Sequence, residues 1–218
     1  MVQVKRASVR NAILDSARDL FSERGYHGTT LLDIAEVAGT GVSSLYSYFP
    51  SKIHLLYAAF APWYEDAFDR LETRVAAIAD PRERLRAILL GIWRDIPNEN
   101  IGLANSHIEA LTSADPKLKK PTPLLRWTEE RLAAMLERTI PADPRRPINY
   151  DLLPNLVMMA YDGFVINRRL NDLRDIDKLV DTMCDIILGP RGYVPATLSE
   201  RPAARRTKSS GPEKSKAP

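Results

Sequence analysis

"TTLLDIAEVAGTGVSSLYSYFPSKIHLL", residues 29–56, is the stretch that decides the fold. Thr30 is followed three positions later by Asp33, a capping-box pattern at a helix start. Leu31, Ile34, Ala35 and Ala38 then share one helical face, and Gly39 ends it where a turn needs positive φ. A third helix is expected from about Val42 to Phe49. Pro50 stops it, because the residue before proline avoids α geometry. Ser51 can cap a fourth helix through Leu55, Leu56, Ala59 and Phe60, with Pro62 as a kink or junction. Upstream, "RNAILDSARDLFSER" (10–24) places Ile13, Leu14, Ala17, Leu20 and Phe21 on one face, and Gly25 follows as a left-handed terminator. Three short helices with a tight glycine turn between the second and third describe a helix-turn-helix. Ala35 is small where the two helices cross, and Ile34, Ala38 and Leu45 face the shared core. Thr40 stands where an apolar turn residue is expected, which leaves the start of the third helix open by a residue or two.

Outward from that stretch the pattern stays helical. Asp80-Pro81 opens a helix to about Ile96. Pro97, Pro116 and Pro121 break 97–122 around a shorter helix near 101–113. Thr122-Pro123 opens another helix, with Leu124, Leu125, Thr128, Leu132, Met135, Leu136 and Ile140 along a stripe. Two more helices are expected over 150–171 and 175–188, ended by Gly189-Pro190. Strand alternation and internal repeats are absent from the sequence. The expected fold is all-α: a three-helix head over 1–51, a helical bundle over 52–194 entered through the fourth helix, and a basic tail over 195–218. The tail has no hydrophobic period and reads as disordered.

Charge follows the same division. Residues 199–218 hold six basic and two acidic side chains, a net +4. That leaves 25 basic against 26 acidic over 1–198, so global charge alone does not point to nucleic acid. One cysteine, Cys184, excludes an intramolecular disulfide and argues against a cysteine zinc site. No apolar leader run of roughly 7–15 residues is present, and no run approaches the roughly 20 residues of a membrane span. A cytoplasmic protein without membrane contact is expected.

The 29–56 stretch resembles the DNA-binding segment of the TetR family of bacterial transcriptional regulators. Thr30, Ile34, Ala35, Ala38, Gly39, Leu45, Tyr46, Tyr48, Phe49, Lys52 and Leu55 stand at the family's motif positions, and "LFSERGYHGTT" before them is similar too. The resemblance covers roughly residues 8–57. Thr40-Gly41 departs from the usual Val-Ser turn, and Ser43 replaces a usual glycine. The resemblance implies a dimeric repressor whose head reads an operator in double-stranded DNA. Its bundle would bind a small-molecule effector and dimerise through the last two long helices, about 150–188. "LYSYFPSKIHLL" is faintly similar to members that regulate lipid or sterol breakdown.

Several residues are carried over on that basis. Tyr46 and Lys52 are expected at phosphates, Lys52 beside a helix N-terminus. Tyr48 would meet backbone or base, and Thr30 would cap its helix and touch the backbone. Val42, Ser43 and Ser44 open the recognition helix, where hydroxyls and methyls meet base edges. No Arg, Asn or Gln is there for a bidentate base contact. Sequence discrimination would then draw on DNA shape or on an unstructured basic arm carrying Lys5, Arg6 and Arg10. The plainer readings are a packed Tyr48, a solvated Lys52 and a solvated arm.

In the bundle, Trp93, Ile96, Leu103, Leu111, Trp127 and Met135 are candidates for an apolar cavity, as are Met158, Met159, Tyr161, Phe164 and Val165. Asn100, Asn105, His107, Asp162 and Asn167 are the polar groups that could orient a ligand there. Ordinary core packing is the plain alternative for most of them. No metal or cofactor is expected. The three histidines, His27, His54 and His107, show neither metal nor triad spacing, and no glycine-rich phosphate loop exists, which argues against an enzyme. A helical sensor that no longer binds DNA remains the third reading, on the Thr40-Gly41 departure alone.

Overall fold

A computed structural model describes residues 2–113, 123–171 and 175–194, with side chains from residue 6 onward. The expected disorder of 195–218, the Pro116 and Pro121 breaks and the Thr122 cap fall outside the described residues, as does the Lys5 side chain. Among the described residues every regular element is helical.

The first helix, α1 (Val2–Gly28), is longer than the sequence pattern suggested and absorbs the basic segment as helix. The unstructured arm expected for Lys5, Arg6 and Arg10 is therefore corrected: these residues continue the same helical ladder N-terminally. At Gly25 the chain leaves helical geometry (φ 76°, ψ 173°) before one more turn. The break frees carbonyls, and the fully buried Thr29 hydroxyl donates to Gly25 O at 2.8 Å and to Leu20 O at 3.0 Å.

Next come α2 (Leu31–Val37) and α3 (Val42–Tyr48). Thr30 and Asp33 form the complete capping box. Gly39 takes φ +65°, and Thr40 donates its backbone N–H to Ala35 O at 2.9 Å, so α3 starts at Val42 in spite of the unusual turn residues. Ile34, Ala35, Leu45 and Phe49 close the small core with Ile13, Ala17 and Phe21. Burying such side chains contributes roughly 1.5–3 kcal/mol each.

The fourth helix, α4 (Lys52–Ala76), runs through Pro62 without interruption. Ser51 occupies its N-cap position, but its hydroxyl pairs with His54 Nδ1 at 2.8 Å instead of a backbone N–H. Then come α5 (Pro81–Leu90), capped by Asp80, a π-helical stretch over Gly91–Asp95, and α6 (Ile96–Glu99). Pro97, expected as a break, instead lies within a continuous helical run just after the π-helical stretch, which is where the ladder is already irregular. Then follow α7 (Ile101–Ser113), α8 (Pro123–Thr139), α9 (Leu153–Arg169) and α10 (Ile176–Leu188).

Two seams matter for function. The first joins α1 to α7. A Cβ on Gly102 would lie 1.8 Å from Ser22 O, so only glycine permits this backbone approach. Beside it Ser106 Oγ donates to Phe21 O at 2.7 Å. The second seats α10 on α5, through Arg82–Asp185 at 2.6 Å and Arg86 on Asp177 and Asp181 at 2.5 and 3.1 Å.

Candidate DNA-reading head and effector cavity

On the head, Ser43 and Tyr46 stand exposed on α3, with 58% of Tyr46 open to solvent. Val42 packs partly against the core, and Ser44 is half-buried. Tyr48 is half-buried too, and its hydroxyl donates to Arg6 O at 3.2 Å, which ties α3 to the start of α1. The Arg10 guanidinium lies 5.6 Å from the centre of the Phe49 ring. Thr30 spends its hydroxyl on Asp33, donating at 2.7 Å and accepting the Asp33 N–H at 3.1 Å. These bonds hold the Asp33 carboxyl below its usual range.

Lys52 differs from its sequence reading. Its ammonium turns inward, donates to Tyr26 O and lies 4.3 Å from the centre of the Tyr26 ring. Burial lowers its pKa, although Glu109 and Asp33 pull the other way. The reason is local: the helix that begins at Lys52 starts beside the end of α1, and Tyr26 offers both a carbonyl and a π face within reach of the side chain.

In the bundle, a cavity of about 230 Å³ opens between α4, α7, α8 and α9. Tyr57, Phe60 and Tyr64 line it from α4, His107 and Leu111 from α7, and Leu124, Leu125 and Thr128 from α8. Met158, Tyr161 and Asp162 complete it from α9. Five sequence candidates therefore meet there: His107, Leu111, Met158, Tyr161 and Asp162. The others do not. Trp93 donates its indole N–H to Val157 O at 2.8 Å and, with Val165, borders a separate crevice of about 20 Å³. Leu103 is core. Asn100 caps α7 through the Leu103 N–H at 2.9 Å and pairs with Ser22, so it belongs to the α1–α7 seam. Trp127 stacks edge-on against Phe68 and carries Arg131 on its face. Met159, also a cavity candidate, points outward and is 69% exposed.

The α4 contribution was missed, yet it carried a signal. Tyr57, Phe60 and Tyr64 recur at i, i+3 and i+7, an aromatic stripe on one helical face. His107 stacks on Phe60 with ring centres 4.9 Å apart, and its Nε2 pairs with the Tyr57 hydroxyl at 3.2 Å. Burial drives the His107 pKa down to about 4, leaving the ring neutral at pH 7. Burial, with Asp162 adding, pushes the Tyr57 phenol up to about 12. Asp162 is itself raised by burial and forms no hydrogen bond or ion pair with a described residue. Three buried polar atoms of the lining have no hydrogen-bond partner: Tyr64 Oη, Tyr161 Oη and His107 Nδ1. The Thr128 side chain is near Tyr64 Oη but not in hydrogen-bond geometry with it, and its hydroxyl donates to Leu124 O at 2.9 Å.

A larger hollow of about 500 Å³ lies at the far end of the bundle, beside Arg82, Arg146 and Tyr193. Three of its polar side chains are spent internally: Arg82 on Asp185 and Gly189 O, Arg146 on Ile186 O, Tyr193 on Asp143. The smaller cavity is the one with unmet polar groups. Among the described residues no cluster of metal-ligating side chains occurs, and no helix is long and apolar enough to cross a membrane.

The head's geometry has counterparts. The family model described as bacterial regulatory proteins, tetR family, matches residues 13–59, from the α1 core through α3 into α4. Over that stretch the chain is similar to the family's DNA-binding segment. It is similar to the HTH-type transcriptional repressor KstR of Rhodococcus jostii, 35% identical over 108 residues, 49% of each chain. It also resembles KstR2 of the same organism, 38% identical over 95 residues, 44% of this chain and 47% of that one. The chain thus spans about half the length of these relatives. The crystal structure of the transcriptional regulator FadR from Bacillus subtilis in complex with stearoyl-CoA matches 82% of this chain and 98% of that one. Its TM-score is 0.58 at 18% identity, which shows the shared fold of head and bundle.

Proposed function

We propose that this chain is a ligand-responsive DNA-binding transcriptional regulator, a repressor released from its operator by a small, largely apolar molecule. One observation carries the reading. Tyr57 and His107, paired across the cavity, sit on α4 and α7, the two bundle helices that hold the head. Helix α4 begins at the head with Lys52, and α7 packs along α1 at Gly102 and Ser106. A ligand that spreads Tyr57 from His107 therefore pulls on both supports of the recognition helix. This arrangement supports a division into a head to residue 51 and a bundle from residue 52, with α4 as the link.

The reading includes a homodimer acting in the cytoplasm. Leu152, Leu156, Met159, Ile166 and Leu170 along α9, with Ile186 on α10, expose an apolar face at 40–71% of their surface. A second copy of this chain covers such a face by isologous pairing and sets the spacing of two heads on operator half-sites.

The test is a mobility-shift assay on the DNA upstream of the chain's own gene and neighbouring genes. A specific, salt-sensitive band supports the reading. Its absence on all of these fragments overturns DNA regulation, whatever the cavity binds.

A further inference from the structure

The cavity's unmet polar atoms define the chemistry of what enters it. We infer that the ligand is an uncharged, largely apolar molecule presenting one oxygen acceptor, a ketone or hydroxyl, to Tyr64 and Tyr161. This rests on the reading of the cavity as the effector site.

The argument is one of matching donors to acceptors. Tyr64 and Tyr161 are buried to 4% and 1% exposure, and neither hydroxyl has a hydrogen-bond partner. Each phenol carries a proton to donate, and a buried donor left unmet is destabilising. A pure hydrocarbon would fill the cavity and leave that cost in place. An ammonium could pair with Asp162, but it brings only donors, so both phenol protons would stay unmet. A carboxylate or phosphate brings acceptors, but the described lining holds no lysine or arginine to neutralise it. It would also lie beside Asp162, whose carboxylate acts electrostatically on both tyrosines. Burying an anion unpaired beside another carboxylate is costly.

An uncharged oxygen satisfies the tyrosines at no such cost. His107 is neutral at pH 7, so its bare Nδ1 adds a hydrogen-bonding position without charge. The rest of the wall, from Phe60, Leu111, Leu124, Leu125 and Met158, is apolar. At about 230 Å³ the cavity is smaller than the roughly 300–1,000 Å³ of common ligand sites, which favours a compact molecule.

The experiment is a thermal-shift and calorimetry panel on the full chain with matched probes: decanol, methyl octyl ketone, decanoate, decylamine and decanoyl-CoA. Decanol and the ketone should raise the melting temperature, while decanoate and decylamine should not. Tyr161→Phe and, separately, Tyr64→Phe should weaken decanol by about three- to tenfold with unchanged circular dichroism. Asp162→Asn should admit decanoate. Binding of decanoate, decylamine or decanoyl-CoA in place of the alcohol and ketone would overturn this inference and leave the cavity as an effector site. Undiminished decanol binding in both tyrosine variants would also overturn it. If none of the five probes binds, the effector reading of the cavity falls as well, while the mobility-shift result stands independently.

Discussion

The Glu109 carboxylate accepts the His27 backbone N–H at 3.0 Å, so a side chain of α7 completes the last turn of α1. The same carboxylate meets Arg169 of α9 at 2.6 Å and packs against the break at Gly25. Head, α7 and α9 are thereby clamped at one point, two residues from the cavity's His107. Burial alone would raise the Glu109 carboxyl, but the His27 N–H and Arg169 outweigh it and the net pKa falls below 4.5.

Glu109→Gln should therefore lower stability at neutral pH by about 1–3 kcal/mol, through the weakened acceptor and the unpaired Arg169. A carboxyl with a depressed folded pKa contributes stability above its unfolded pKa and loses it as pH falls through the folded value. The difference between wild type and variant should shrink below about pH 4. Urea titrations across pH check this. A pH-independent difference would mean that the carboxylate charge plays no part.

Gly102→Ala should be among the costliest small changes in the chain. The added carbon would meet the Ser22 carbonyl oxygen at 1.8 Å, and backbone cannot swing aside as a side chain can. Overpacking of this kind costs roughly 1–3 kcal/mol, occasionally more. The urea midpoint should fall and operator affinity with it, because α1 must lift from α7. An unchanged midpoint would show that the seam is looser than the geometry gives.

His107 makes the bundle acid-sensitive. Its pKa is near 4 when folded against an ordinary 6.5, because burial disfavours the imidazolium. The unfolded chain takes up the proton first, so stability is full above about pH 6.5 and declines as pH falls toward about pH 4. His107→Leu should remove that slope while preserving the stack on Phe60 in outline. Melting temperatures between those pH values measure it, and an identical slope in the variant would assign the acid sensitivity elsewhere.

Tyr46→Phe and Lys52→Ala should separate contact from support. Tyr46 is exposed and makes no packing contribution to lose, so Tyr46→Phe should weaken operator binding several-fold at unchanged melting temperature. Lys52→Ala removes a cation–π contact worth roughly 0.5–2 kcal/mol and should lower the melting temperature. If Lys52 also reaches a phosphate, the slope of log affinity against log salt falls by about 0.9. Wild-type affinity in Tyr46→Phe would remove Tyr46 from the interface.

Met159→Glu with Leu156→Glu should convert the proposed dimer to a monomer. Both side chains are more than half exposed on α9, and two carboxylates facing their own symmetry copies repel. Sedimentation should report half the mass at unchanged helicity. A persistent dimer would place the interface on another face.

The head was legible because its information is local. Thr30 and Asp33 lie three residues apart, Gly39 needs only its own φ, and Ile13, Ala17 and Phe21 announce their face by spacing alone. Helical starts at Asp80-Pro81 and Asp175 were equally local. The inward contact of Lys52 was not legible because its partner, Tyr26, lies 26 positions away, and no periodicity records which cation will find a carbonyl and a ring.

The cavity shows the same boundary more sharply. The sequence by itself determined that apolar stripes on the bundle helices would face inward, and it supplied His107 and Asp162 as polar exceptions. It could not decide which stripes would face one another. Asn100 was drawn into the α1 seam by Ser22, Trp93 was satisfied by Val157 O, and Met159 was turned outward, each by a partner distant in sequence. Helical periodicity fixes the face a side chain takes on its own helix. Only the packing of helices decides whether that face meets core, cavity or solvent, and which buried hydroxyls are left without a partner.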